Sequence, residues 1–208
     1  MQVADATRAQ WQPGHGSAPN TAPQAPRPRA APQSQFQART VTPASLAPPP
    51  TSPLGLAGYG GPGAAVWFSS CHGGAGASTL AAIIPFGRCT GRYWPAPDPP
   101  GQARVLLVAR THASGLIAAQ AAARQWAAGV LPNVKLLGLV AIADAPGKRP
   151  KQLKELLRLI SGGVPRVWEL PWVEALRLGD PPNQTKLPSA YARLARDLKH
   201  IISEDAHA

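Results

Sequence analysis

The stretch Val66–Ile84, VWFSSCHGGAGASTLAAII, is the part of the sequence that indicates the fold most clearly. It opens with a β-branched and aromatic run, passes through a cluster of glycines, and ends in a segment rich in Ala and Leu. The opening run predicts a buried strand. The closing segment predicts a short helix over Thr79–Ile84, which Pro85 ends because proline cannot continue a helix.

The order strand, glycine loop, helix is that of a phosphate-binding loop, in which backbone N–H groups converge on phosphate oxygens. A lysine after the last glycine reaches the terminal phosphates, and the next hydroxyl binds Mg²⁺. Here Ala77 occupies the lysine position. The candidate nucleotide-binding residues form one continuous stretch: His72, Gly73, Gly74, Ala75, Gly76, Ala77, Ser78 and Thr79. We expect weak or no ATP binding, and Mg²⁺ only with a bound nucleotide.

Strand-like and helix-like segments alternate after this loop. RVLLVAR, KLLGLVAIAD and PRVWELPW are typical of strands, whereas HASGLIAAQAAARQWAAG, KQLKELLRLISGG and LPSAYARLARDLKHIISEDA are typical of helices. The alternation predicts an α/β fold, a short three-layer sandwich with a mainly parallel sheet of about four or five strands. The Gly- and Pro-rich segment 85–103 is predicted to be an irregular connector. Ligands of such sheets bind at the carboxyl ends of the strands, where the glycine loop would lie.

Composition changes near residue 63. Residues 1–63 are rich in proline and poor in apolar residues, which predicts a disordered tail. Residues 64–208 are long enough for a core and are predicted to form one reduced α/β domain. No apolar run reaches membrane-spanning length and no signal peptide is evident, so we expect a cytoplasmic protein. Cys71 and Cys89 suit neither a disulfide framework nor a metal site.

The formal net charge is +11, which favours contact with nucleic acid, an anionic membrane or an acidic partner. Cationic side chains are concentrated in PGKRPKQLKELLR, at Lys148, Arg149, Lys151, Lys154 and Arg158. These residues are candidates for contact with DNA phosphates. Alternatively, they form the solvated face of an amphipathic helix whose other face carries leucine and isoleucine.

The residues HGGAGASTLA and the strands that follow resemble the ParA/MinD group of P-loop proteins, over roughly residues 64–200. The loop of that group reads lysine, two glycines, any residue, glycine, lysine, then Ser or Thr twice. In this chain His72 stands at the first lysine and Ala77 at the second, while Cys71 replaces the usual first glycine. The resemblance also implies that LGLVAIADAPGK ends near the nucleotide base, close to Asp144. Trp168 and Trp172 are predicted on one side of their extended segment, near that base.

Between the loop and RVLLVAR, this chain has far fewer residues than ParA/MinD proteins have. The catalytic and Mg²⁺-organising aspartates of the group lie in that interval. Here Asp98 is the acidic residue available, and its surroundings, PAPDPP, do not resemble the end of a strand. Because triphosphate hydrolysis depends on positioning and on charge neutralisation, the resemblance implies a non-catalytic relic. Arg88, Arg92 and Arg110 are candidates to replace the lysine.

The loop CHGGAG, the segment VWELPWVEA and a proline-rich head also resemble a group of small proteins from high-GC bacteria associated with conjugative or integrative elements. This resemblance implies an adaptor or regulatory accessory of a DNA-transfer or partition apparatus, with a protein partner such as a secretion or conjugation ATPase. Two other interpretations stay open. One is a nucleotide-binding ATPase switch completed by a partner or a dimer, and the other is a non-specific DNA-binding accessory protein.

Overall fold

The computed structural model describes residues 54–60, 64–98, 102–131 and 133–205. These residues form strands and helices in the following chain order: β1 (Gly55–Gly60), β2 (Val66–Ser70), α1 (Ala77–Ile83), β3 (Gly87–Cys89), β4 (Tyr93–Asp98), β5 (Ala103–Arg110), α2 (Ala113–Ala127), β6 (Val134–Ile142), α3 (Lys151–Ser161), β7 (Val167–Leu170), α4 (Glu174–Leu178) and α5 (Ser189–Asp205).

The main sheet has five strands in the order β3-β2-β5-β6-β7. Every neighbouring pair is parallel, with Trp67 of β2 opposite Val105 of β5 and Val140 of β6 opposite Trp168 of β7. The central strands are continuous apolar runs because helices cover both faces of the sheet. The predicted α/β class and the predicted parallel sheet are therefore confirmed.

Alternate residues of the central strands enter two separate cores. On β5, Val105 and Leu107 belong to the first core and Leu106 and Val108 to the second, because successive side chains of a strand point to opposite faces. Helices α2 and α3 contribute to the first core, and α1 and α5 contribute to the second. The result is the predicted three-layer arrangement.

The segment 85–103 was predicted to be an irregular connector, and this prediction is wrong. It contains β3, which pairs with β2 at the edge of the main sheet, and β4, which pairs in parallel with β1 in a separate two-stranded sheet. Prolines in β4 lack the N–H that a ladder needs, which suits a strand with one partner. Asp98 does end a strand, contrary to the expectation from its sequence, but that strand is β4 of the small sheet.

Most of the predicted disordered tail, residues 1–53 and 61–63, lies outside the described residues. Within that tail, Gly55–Gly60 form β1, so the prediction of disorder differs from the structure there. A side chain of α2 joins the small sheet to the domain: Gln125 accepts a hydrogen bond from Trp94 Nε1 (2.7 Å) and donates one to the carbonyl of Leu54 (3.2 Å). Both Trp94 and Leu54 are fully buried. These long-range contacts, which local composition does not encode, hold β1 in place.

Among the helices of the described residues, none has both the length and the apolar character that crossing a membrane requires.

Candidate functional site

The glycine loop lies at the carboxyl end of β2, between that strand and α1, as the sequence predicts. Helix α1 begins at Ala77, two residues before the predicted start. Gly74 and Gly76 have φ values of 72° and 101°, in the left-handed region that favours glycine. A Cβ at Gly76 would also lie 2.9 Å from Ile142 Cδ1, at the end of β6. The eight candidate residues therefore run through a turn after β2 and continue directly into α1.

His72, at the position of the first lysine in the ParA/MinD pattern, uses both of its ring nitrogens. Its Nδ1 lies 2.8 Å from the carbonyl of Gly73, and its Nε2 lies 3.0 Å from the backbone N–H of Arg110. A backbone N–H can only donate, so Nε2 carries no proton and Nδ1 donates to Gly73. Burial lowers the pKa of His72 from its ordinary value of 6.5, with a smaller contribution in the same direction from His112. The imidazole is therefore neutral at neutral pH.

Ala77, at the position of the phosphate lysine, is a core residue. Its side chain is 1% exposed and belongs to the second core together with Leu80 of the same helix. The next residue, Ser78, is exposed, and Thr79 is half-buried. The hydroxyls of Ser78 and Thr79 thus lie near the surface. The side chain of Ala77, where the ParA/MinD pattern has a lysine, is packed among apolar residues.

Of the three arginines considered as replacements, Arg110 lies beside the loop. Its Nη1 donates to the carbonyl of Ala143 (3.0 Å), and its guanidinium carbon lies 5.8 Å from the ring centroid of Trp172. Arg88 lies on β3, opposite Trp67, and Arg92 lies in the turn that follows. Arg110 therefore joins the ends of β5 and β6.

Helix α4 and the start of α5 fill the space next to the loop. A cavity of about 40 Å³ remains there, lined on one side by Gly76 and Thr79 and on the other by Val173, Leu176 and Tyr191. Pockets for drug-sized ligands are roughly 300–1,000 Å³. Helix α4 was not predicted from the sequence, although Gly179 after VEALRL is a signal for the end of a helix.

The two tryptophans predicted near the base lie in different surroundings. Trp168 is buried, and its Nε1 donates to Asp197 Oδ2 (3.0 Å) on α5. Trp172 lies beyond the end of β7, and its Nε1 donates to Glu174 Oε2 (2.6 Å). β7 ends at Leu170, so the strand does not extend to Trp172, and the shared side of the two tryptophans stays a prediction.

The basic segment 148–158 forms a loop and the first turns of α3. Arg149 Nη2 pairs with Glu169 Oε2 of β7 at 2.9 Å, and the Arg149 side chain is 16% exposed. Lys148, Lys151 and Lys154 are exposed. Leu157 and Ile160 enter the first core, as expected for an amphipathic helix with a solvated basic face. DNA binding through this segment stays a prediction.

The thiol of Cys71 is fully buried at the start of the loop. Burial raises the pKa of Cys71 to about 12, so the thiol stays protonated at neutral pH. His112 acts as the N-cap of α2, because its Nδ1 accepts the backbone N–H of Gly115 (3.0 Å). The thiol of Cys71 is thus occupied by packing, and the imidazole of His112 by a backbone hydrogen bond.

In comparison with known families, residues 64–189 match DUF6668, described as a family of unknown function. The matched part begins before β2, ends at the start of α5 and includes the glycine loop. The chain therefore belongs to this family. No curated protein matches the chain.

Proposed function

We propose that this DUF6668 protein is a non-catalytic, ParA/MinD-like P-loop protein that acts as an adaptor or regulatory accessory of a DNA-transfer or partition apparatus. The observation that carries the proposal is the bonding around the glycine loop. His72 is held at both ring nitrogens by backbone groups, and Arg110 is bonded to the carbonyl of Ala143. The loop is a structural element that joins β2, β5 and β6.

The charges at the loop support the absence of catalysis. Phosphoryl transfer requires cations that neutralise charge on the transferred group. A lysine is replaced by the buried methyl of Ala77, the imidazole of His72 is neutral, and the guanidinium of Arg110 binds a carbonyl. Backbone N–H groups and the start of a short helix remain, and these hold an anion far more weakly than a lysine-bearing loop does.

The adaptor role rests on the charge of the chain and on the resemblance to ParA/MinD proteins. A net charge of +11 favours association with an acidic surface, and it raises the rate of encounter with one. A partner of the kind that the resemblance implies is the ATPase of a secretion or conjugation apparatus. The chain would bind that partner without hydrolysing nucleotide itself.

The first test is titration of the full chain with ATP by calorimetry, with and without Mg²⁺, combined with a phosphate-release assay. We expect no saturable heat of binding up to about 1 mM ATP; a Kd of about 1 mM corresponds to a binding free energy near −4 kcal/mol. We also expect phosphate release at the rate of buffer without protein. Turnover by the isolated chain that disappears in Gly76→Val would overturn the proposal. That substitution blocks the loop, because φ is 101° and a Cβ would lie against Ile142.

A second test restores the lysine with Ala77→Lys. Because Ala77 is 1% exposed, we expect lower stability to thermal unfolding and no gain in ATP affinity. Ser78→Lys adds the same charge at an exposed position and serves as the matched control. A clear gain of ATP affinity in Ala77→Lys alone would show that the pocket is intact, in favour of an ATPase switch.

The ATPase switch completed by a partner is the second candidate function. It is favoured by Gly73 and Gly74, which are exposed and have no atom within 4 Å of an added Cβ, so a partner can approach the loop backbone. Direct binding to a purified partner ATPase separates the two candidates. The adaptor predicts the same affinity with wild-type chain and with Gly76→Val, at any ATP concentration. Binding that requires ATP and an intact loop supports the switch.

A further inference from the structure

A second cavity lies at the carboxyl edge of the sheet, on the side of α2 and α3. Its volume is about 560 Å³, within the range of small-molecule pockets. The loop 143–150, the starts of α2 and α3, and the end of β7 form its walls. No residue of the glycine loop 71–76 lines it. What this cavity binds is therefore a separate question from the role of the glycine loop.

Cationic side chains surround this cavity. Lys148, Arg149 and Lys154 line it, against the carboxylates of Asp144 and Glu169. Glu169 is already paired with Arg149 Nη2 at 2.9 Å. Within the described part of the chain, neither lysine forms a salt bridge. The unpaired charge on the walls is thus mainly positive.

Arg149 supplies a second and independent observation. Its Nε is buried and has no hydrogen-bond partner in the structure. A buried N–H without an acceptor is unfavourable, and such groups are rare in proteins. The fork of the guanidinium matches the oxygens of a phosphate or a carboxylate. Because Arg149 lines the cavity, a rotation of its side chain would bring this donor to a ligand oxygen there.

The start of α3 adds to the attraction for an anion. Pro150, the N-cap, makes no side-chain hydrogen bond to the helix, and the first turn carries no acidic residue. The N–H groups of this turn and the positive end of the helix dipole therefore favour negative charge. Leu153 and Leu170 give the cavity an apolar wall, which suits a ligand that also has a carbon body.

We propose that this cavity binds a small phosphate monoester, with the phosphate held by Lys148, Arg149 and Lys154 and the organic body against Leu153 and Leu170. A dianionic phosphate matches two unpaired lysines and a guanidinium donor better than a single carboxylate does. The same chemistry is found in sugar phosphates and in mononucleotides. The role of the glycine loop does not enter into this proposal.

The test is calorimetric titration of the full chain with ribose 5-phosphate and with AMP, each compared with ribose and adenosine. We expect saturable binding of at least one monoester and none of its dephosphorylated counterpart. The double variant Lys148→Gln, Lys154→Gln should weaken binding at least about tenfold, or 1.4 kcal/mol. Lys186→Gln removes the same kind of charge outside the cavity and should leave the affinity unchanged. The relative affinities of the two monoesters distinguish a sugar phosphate from a nucleotide.

A second readout reports on the orphaned donor directly. The Nε–H signal of Arg149 in a heteronuclear NMR spectrum, assigned by its loss in Arg149→Lys, should shift as inorganic phosphate or the monoester is added. The absence of any shift or heat at about 10 mM ligand would overturn the proposal. Equal weakening by Lys186→Gln would also overturn it, since it would indicate general charge attraction. Salt-dependent binding of duplex DNA in place of monoesters, lost in the double variant, would assign the lysines to nucleic acid and refute the cavity site.

Discussion

The glycine loop and the cavity beside α3 lie at the same edge of the sheet and differ in almost every physical respect. The loop has a cavity of about 40 Å³ next to it, whereas the cavity beside α3 has about 560 Å³. In the loop, both ring nitrogens of His72 bond to backbone groups of the protein. Arg149 lines the other cavity, and its buried Nε has no hydrogen-bond partner.

The comparison shows that a sequence motif and a ligand-binding cavity need not lie at the same place in the fold. The loop keeps the glycines of a phosphate-binding motif because the backbone geometry needs them, at Gly76 for instance, where φ is positive and Ile142 is close. Internal hydrogen bonds occupy both ring nitrogens of His72 and one guanidinium nitrogen of Arg110. The cavity beside α3 has no sequence motif, yet it has volume, positive charge and an unsatisfied donor. Four experiments test the bonding and the burial described for the loop.

The largest loss of stability is expected from Gly115→Ala, because the added methyl group would clash with residues that hold the loop in place. A Cβ at Gly115 would lie 2.5 Å from the carbonyl oxygen of Arg110 and 2.8 Å from His72 Nε2. We expect a loss of about 3 kcal/mol in the free energy of unfolding, measured with urea. Gly73→Ala is the matched control, since no atom lies within 4 Å of its Cβ, and it should change stability by less than about 0.5 kcal/mol. Similar losses in both variants would contradict the bonding described for the loop.

A smaller loss is expected from His72→Ala, because the backbone N–H of Arg110 loses its acceptor. Leaving a partly buried donor unsatisfied should cost about 1–2 kcal/mol, again by urea unfolding. His72→Gln can place a side-chain oxygen at the same N–H and should recover part of that loss. If the alanine and glutamine variants are equally stable, the hydrogen bond contributes nothing measurable.

The pH dependence of stability gives a third comparison. His72 has a lowered pKa in the folded state, so the unfolded chain binds more protons below the ordinary value of 6.5. Stability should therefore be full above that pH and fall as the pH decreases through it towards the folded pKa. Groups near His72 that also act are His112 and Arg110, which lower its pKa, and Asp144, which raises it. His72→Gln should show a shallower decrease of the melting temperature over this interval, and an unchanged slope would contradict the assignment.

The smallest effect is expected in the reactivity of the two cysteine thiols. Cys71 is fully buried with a pKa of about 12, whereas Cys89 is half-buried on the edge strand β3. In the folded protein a thiol reagent should modify Cys89 and leave Cys71 unmodified until the chain unfolds. Cys89→Ser should then show no reaction in native conditions. Rapid modification of Cys71 would mean that the start of the loop opens easily.

Strands and helices with strong local patterns were predictable from the sequence. RVLLVAR and KLLGLVAIAD are continuous apolar runs, and they form β5 and β6 because strands covered on both faces need no polar side. β1 and β4 were missed because glycines and prolines obscure any strand pattern, and they depend on contacts with distant residues such as Gln125. Helix α4 was missed because it has five residues, too few for a clear period.

At the glycine loop, the residue types alone fix which chemical groups are present. Ala77 carries no charge in any surroundings, and Gly74 and Gly76 fit their left-handed conformations because they lack a Cβ. The protonation of His72, the hydrogen bond of Arg110 to Ala143 and the lack of a partner at the Nε of Arg149 depend instead on the fold. The reason is physical: a residue type fixes the donors, acceptors and possible charges of a side chain, whereas its actual charge and partners depend on which distant atoms the fold brings within hydrogen-bond distance.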